Sequence, residues 1–159
     1  MTYVIRAARK SDMKEVHALI QELAVFEKEP DAVEVQVEDL ERDGFGPDRR
    51  FHCFVAETEN GIGGMALVYP RYSTWKGPVI HLEDLIVTAS MRGTGLGSAL
   101  FEAVIRYGHQ LGVKRICWEV LDWNDPAIYF YESKGARVLR DWDVVQLDEA
   151  AIQNFINKV

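Results

Sequence analysis

With two cysteines and five prolines in 159 residues, the sequence has little that would staple or interrupt a fold. Cys53 and Cys117 each stand alone in an apolar run, which reads as two small buried residues rather than a disulfide or a metal pair. No stretch of 18 apolar residues occurs, and no basic segment leads into an apolar one at the start. A membrane-spanning helix and a secretory signal are therefore not expected, and the cytoplasm is the expected location. Positive charge is also scarce: 18 Lys and Arg face 25 Asp and Glu, a net charge of −7. That balance sets aside nucleic acid and anionic membranes as partners and suits a cationic ligand. The four histidines (17, 52, 81 and 109) have no ligand spacing, so no metal is implied. Neither cysteine shows a paired base in the sequence, and no covalent nucleophile is expected. Repeats, linkers and low-complexity segments are missing too. Residues 1–159 read as a single domain, long enough to bury about two thirds of its unfolded surface.

What the chain does have is the stretch from His81 to Gly112, HLEDLIVTASMRGTGLGSALFEAVIRYGHQLG. It begins as an alternating apolar strand and ends as a helix with apolar residues at Leu96, Leu100, Ala103, Val104, Tyr107 and Leu111. Between them lies RGTGLG, Arg92 to Gly97, where Gly93, Gly95 and Gly97 let successive N–H groups turn inward at the start of a helix. A run of this kind is a pyrophosphate seat, with Arg92 adding a fixed cation. Ser98 stands where a dinucleotide fingerprint needs its third glycine, and Gly97-Ser98-Ala99 lacks the lysine of a Walker loop.

Along the rest of the chain, residues 3–7 predict a strand, and Asp12 with Glu15 has capping-box spacing before a helix buried through Val16, Leu19, Ile20, Leu23 and Ala24. Pro30 breaks the pattern, and a short helix from Val37 to Asp43 stops at Gly44. The runs Phe51–Glu57 and Ile62–Tyr72, joined through Asn60-Gly61, predict a hairpin. Strands are expected over Val79–Val87 and Arg115–Leu121. A helix capped by Asn124 follows, with Pro126 in its first turn and Gly135 at its end. Val138–Leu147 reads as a last hairpin, and Asp148 caps a terminal helix. The pattern is α/β (α+β), a mixed, mainly antiparallel sheet flanked by helices, with one parallel crossover at the glycine loop.

Arg-x-x-Gly-x-Gly after a strand ending LIVTASM resembles the acetyl-coenzyme A loop of the Gcn5-related N-acetyltransferases. HLEDLIV, RGTGLGSALF and LDWNDPAIYFYESKGA further resemble the diamine (spermidine/spermine) N1-acetyltransferases. That resemblance implies the twisted-sheet fold of those enzymes, acetyl-coenzyme A as cofactor, a homodimer, and direct acetyl transfer to a small primary amine: a diamine, a polyamine or a lysine-like amino acid such as thialysine. It also implies site roles. Glu83 is the expected base and Tyr131 the general acid, with Tyr129 the weaker candidate. Leu85, Ile86, Val87, Arg92, Gly93, Thr94, Gly95, Leu96, Gly97, Ser98, Asn124 and Tyr131 are expected on the cofactor. Glu27, Tyr72, Trp75, Glu83 and Asp84 are expected around the amine. Strand alternation by itself puts Glu83 and Asp84 on opposite faces unless the strand is bulged. Ser73 stands where the polyamine enzymes commonly carry an aspartate, and Arg71 and Lys76 add positive charge nearby, which favours short amines over long ones. Other readings of the same fold are acetylation of protein lysines or N-termini, and a silent acyl-coenzyme A sensor.

Overall fold

The structure, a computed structural model, describes residues 2–158; Met1 and Val159, the ends of the predicted 1–159 domain, lie outside the described residues. The chain forms two compact units, Met1–Glu119 and Val120–Val159.

The first unit is built on a five-stranded sheet in the order β1-β2-β3-β4-β5: β1 (Tyr3–Ala7), β2 (His52–Thr58), β3 (Gly61–Ser73), β4 (Gly77–Val87) and β5 (Ile116–Cys117). The first three ladders are antiparallel and β4–β5 is parallel. Helices α1 (Met13–Phe26) and α2 (Val37–Phe45) cover one face. There Met13, Val16, Leu19 and Leu40 pack with Cys53, Val55, Met65, Leu67 and Ile86 in one buried cluster. Helix α3 (Leu96–Leu111) covers the other, burying Leu96, Leu100, Phe101 and Val104. Two sets of alternate strand residues therefore face two helix layers, which is why β2 to β4 are apolar in nearly continuous runs.

Local chemistry sets the joins. The hairpin between β2 and β3 turns at Asn60-Gly61, with Gly61 at φ 106°, a conformation open chiefly to glycine. The capping pair expected at Asp12 and Glu15 is not formed. Asp12 accepts from the N–H of Arg9 at 2.7 Å and from the Arg6 guanidinium at 2.7 Å, while Glu15 accepts from the N–H of Ile62 at 2.8 Å and ties α1 to the hairpin. Arg6 also bonds Glu57 at 2.6 Å, and it holds the Asp12 carboxyl below the usual carboxylate range. Helix α2 runs on through Gly44 to Phe45.

In the second unit, α4 (Asp125–Ser133) and α5 (Glu149–Lys158) are helical as expected. Two strand expectations fail. Arg115–Leu121 shortens to the two residues of β5, and Val138–Leu147 forms no strand. A hairpin needs further strands or a helix to cover it, and among the described residues no ladder includes 138–147. Among the described residues, no helix is long and apolar enough to cross a membrane.

Candidate active site

The ladder between β3 and β4 carries the site's central irregularity. His81 pairs with Tyr69 and Leu82 with Val68, but Leu67 pairs with Asp84, so Glu83 is an extra residue. Leu67 and Tyr69 are two apart and share a sheet face. Their partners Asp84 and His81 therefore share it too, although they are three apart in sequence. The bulge is the condition under which the two carboxylates can share a face: it turns Glu83 and Asp84 to the side covered by α1.

Three carboxylates gather there. Glu27 follows the last turn of α1, its N–H bonded to the carbonyl of Leu23 at 2.9 Å, and burial raises its pKa. Asp84 is pushed up to about 6, first by burial and then by repulsion from Glu83 and Glu27. A carboxyl in that state is stabilised by a cation and titrates close to neutrality. Glu83 is exposed, its Oε2 3.6 Å from His81 Nε2 and its carboxylate against the hydroxyl of Tyr69.

Beyond the bulge, β4 runs to the glycine loop. The β4–β5 ladder is only two rungs long, Ile80 with Ile116 and His81 with Cys117. From Leu82 to Val87, β4 has ladder partners on its β3 side alone, and alternate backbone groups of Leu85, Ile86 and Val87 face an unladdered edge. After a turn at Ala89–Met91, Gly93 (φ 75°) and Gly95 (φ 91°) adopt left-handed geometry, and α3 begins at Leu96. The first intrahelical bond runs from Ala99 N to Gly95 O at 3.0 Å. The N–H groups of Leu96, Gly97 and Ser98 thus project from the helix start. A β-carbon added at Gly93 would meet nothing within 4 Å, and at Gly95 only Tyr3 Oη at 3.8 Å. An open concavity lined by helix-start N–H groups fits a pyrophosphate. Arg92 is folded back, its Nε donating to the Val87 carbonyl at 3.1 Å and its guanidinium 5.2 Å from the Phe26 ring centre. Thr94 Oγ1 donates to Met91 O at 2.6 Å and closes the loop on itself.

Tyr72 and Trp75, expected with the carboxylates, are not brought to them. Tyr72 pairs with Pro78, five residues along β3 from Leu67, a separation of about 17 Å at strand rise. The two side chains are 72% and 75% exposed. Ser73 builds the turn between β3 and β4, its Oγ accepting from the N–H groups of Trp75 at 3.2 Å and Lys76 at 3.1 Å.

In the second unit, Asn124 caps α4 through Oδ1 and the N–H of Ala127 at 3.4 Å, with proline in the first turn. Tyr131 lies on α4 with its ring 5.4 Å from that of Phe130. Tyr129 is exposed.

Several residues had escaped the sequence reading. Glu22 of α1 accepts from Thr88 Oγ1 at 2.9 Å and from the N–H of Ala89 at 2.9 Å, anchoring the start of the glycine loop. On the carboxylate face, Arg71 Nη1 stands 3.5 Å from His81 Nδ1, and Cys117 Sγ stands 3.6 Å from the same nitrogen. Cys117 therefore does have a histidine beside it, a pairing that only the parallel rung His81–Cys117 reveals.

The model of the acetyltransferase (GNAT) family matches residues 2–136. Thialysine N-epsilon-acetyltransferase of Bos taurus is 36% identical over 166 residues, covering 98% of both chains. Spermidine/spermine N(1)-acetyltransferase-like protein 1 of Homo sapiens is 34% identical over 141 residues, covering 84% of this chain and 20% of that protein. The solved structure of integron cassette protein VCH_CASS6, from the mobile metagenome of V. cholerae, superposes with a TM-score of 0.79 at 21% identity over 98% of each chain; at that identity the likeness is one of fold.

Proposed function

The chain belongs to the acetyltransferase (GNAT) family, and from that premise we propose that it passes an acetyl group from acetyl-coenzyme A directly to the primary amine of a small cationic substrate. A lysine-like amino acid such as thialysine fits best, with a short diamine second. The observation that carries this reading is the bulge at Glu83, which turns two adjacent carboxylates to one face, beside Glu27 and one strand-end from the glycine loop. Thialysine is the substrate in the name of the bovine relative.

Each residue then has a task. An alkylammonium has a pKa of about 10.4, so only about one amine in a thousand is free at neutral pH. Asp84 and Glu27 attract the ammonium, and Glu83, directly or through a water, accepts its proton as the nitrogen becomes nucleophilic. Backbone N–H groups among Leu85, Ile86 and Val87 are placed to meet an oxyanion at the unladdered edge. What acetyl-coenzyme A supplies when bound is an acetyl group already activated as a thioester. The N–H groups of Gly93 to Ser98, with Thr94 closing the loop and Arg92 beside it, hold the pyrophosphate. Asn124 bonds the pantetheine arm, and Tyr131 gives a proton to the departing thiolate. Tyr72 and Trp75 take part only for a substrate long enough to reach their hairpin. The free thiols Cys53 and Cys117 suit a reducing cytoplasm, and the exposed apolar side chains after Gly135 suit a homodimer.

Coenzyme A release should be measured with thialysine, lysine, putrescine, spermidine, spermine and a lysine peptide. Highest kcat/KM with the amino acids is expected. Turnover confined to the peptide would establish the protein-acetylating alternative. Tight acetyl-coenzyme A binding with no turnover on any amine would establish the sensor.

A further inference from the structure

Glu83 sits on a bulge, where the backbone alone does not fix a side chain, and it is exposed. A base with that freedom needs something to aim it. His81, two residues earlier on the same face, is buried against it with Nε2 3.6 Å from Glu83 Oε2. Which nitrogen of this ring carries hydrogen is decided by what stands on the other side. Arg71 Nη1 lies 3.5 Å from His81 Nδ1, and a guanidinium has only hydrogens to offer. Nδ1 must then be the acceptor. In a neutral ring the one hydrogen sits on Nε2, directed at Glu83. The thiol of Cys117, 3.6 Å from Nδ1, can add a weak donor on the same side. Burial, with Arg71 acting in the same direction, outweighs the attraction of Glu83 and Glu119 and holds the ring's pKa below its ordinary value, which favours the neutral ring at pH 7.

We propose that His81 is a positioning residue for Glu83: Arg71 fixes its tautomer, and its Nε2–H aims the Glu83 carboxylate at the substrate amine. This rests on the reading of Glu83 as the base. The 3.6 Å gap is longer than a closed hydrogen bond, as is common in an active site without substrate, and it closes as the carboxylate is engaged. The other titratable groups on this face are Glu27 from the end of α1, Tyr69 and Arg71 from β3, Asp84 from β4, and Cys117 and Glu119 from β5 and the residues after it. Tyr69 is a second donor to Glu83, which is why loss of His81 weakens the aim without abolishing it.

The test is kcat and KM on one amine at pH 7 for wild type, His81→Gln, His81→Leu and Glu83→Gln. Glutamine keeps an N–H near the position of Nε2; leucine keeps the volume and has no donor. His81→Leu should lower kcat about tenfold and leave KM within about twofold. His81→Gln should keep most of kcat. Glu83→Gln should lower kcat at least as far as His81→Leu. Equal losses of kcat in both His81 variants would reduce His81 to packing and overturn the proposal, leaving Glu83 as base. An intact kcat in Glu83→Gln would overturn the base reading and the proposal with it. Should His81→Leu fail to fold, nitrogen-15 NMR of the wild-type ring gives the answer. Nε2-protonated imidazole at pH 7 is expected, and an Nδ1-protonated ring would overturn the proposal.

Discussion

Replacing Asp84 by asparagine should make the protein more stable and a poorer amine binder at the same time. The carboxyl is held at about 6 against an ordinary value of 3.8, so the fold prefers it protonated. The sign follows from linkage. A carboxyl whose pKa is raised on folding costs nothing below the unfolded value, and its penalty grows as pH rises from about 4 to 6. The penalty is then fully present at pH 7, where the difference corresponds to at most about 3 kcal/mol. Asparagine has nearly the same shape and no charge, so Asp84→Asn should recover most of that amount at pH 7.5 and almost none at pH 4. Amine binding should move the other way. A charge-assisted contact in a half-buried site contributes about 1.5–3 kcal/mol, so affinity should fall about 10- to 100-fold. In the wild type, affinity should fall about tenfold between pH 7 and pH 5 as Asp84 protonates. Urea denaturation at the two pH values gives the first quantity, and calorimetric titration of thialysine into the protein with coenzyme A gives the second. If Asp84→Asn were destabilised at pH 7.5, or gained equally at both pH values, electrostatic strain would not be the explanation. Unchanged amine affinity would remove Asp84 from the binding site.

Two further outcomes are expected. Gly95→Val places a β-branched residue at φ 91°, a strain of about 1–3 kcal/mol, and should weaken acetyl-coenzyme A binding at least tenfold by calorimetry while the melting temperature falls by about 2–12 °C and the protein stays folded at 25 °C; equal affinity would remove the loop from the pyrophosphate. Trp142, Val145 and Phe155 are 67%, 91% and 66% exposed, so sedimentation velocity should find a dimer at micromolar concentration that Val145→Glu with Phe155→Glu weakens, and a monomeric wild type would refute the homodimer.

Much of the fold was legible because it rests on local signals. Asn60-Gly61 marked its hairpin, three glycines marked the start of α3, and period 3.6 marked the buried face of α1 and α3. Pairing between distant segments was not legible. Val138–Leu147 is rich in the Val and Trp that strands favour, but composition does not name a partner. The same limit hid the meeting of Cys117 with His81. The bulge lies between these cases, since its trace was present: Leu82 and Leu85 pair with Val68 and Ala66 on the α3 face and are three apart, where an unbroken strand repeats every two residues. An odd step between same-face residues is the mark of an inserted residue. In HLEDLIV it could not be distinguished from a strand buried on both sides, because Ile86 fills the other face.

Ser73 shows where residue-by-residue reading misjudged distance. Read as the loss of a carboxylate, it weakens binding of any cation in the channel. In the fold it holds a turn together through the N–H groups of Trp75 and Lys76, about 20 Å by strand rise from the rung of Asp84. Over such a span in water two charges interact by only about 0.2 kcal/mol before salt screening. On the proposed reading, an amine held by Asp84, Glu83 and Glu27 would therefore not sense what occupies position 73. Only a substrate long enough to place a second ammonium near the hairpin would sense it. On that reading, specificity against long polyamines and affinity for the reacting amine would be set by different ends of β4, and a substitution at Ser73 should alter the first without touching the second.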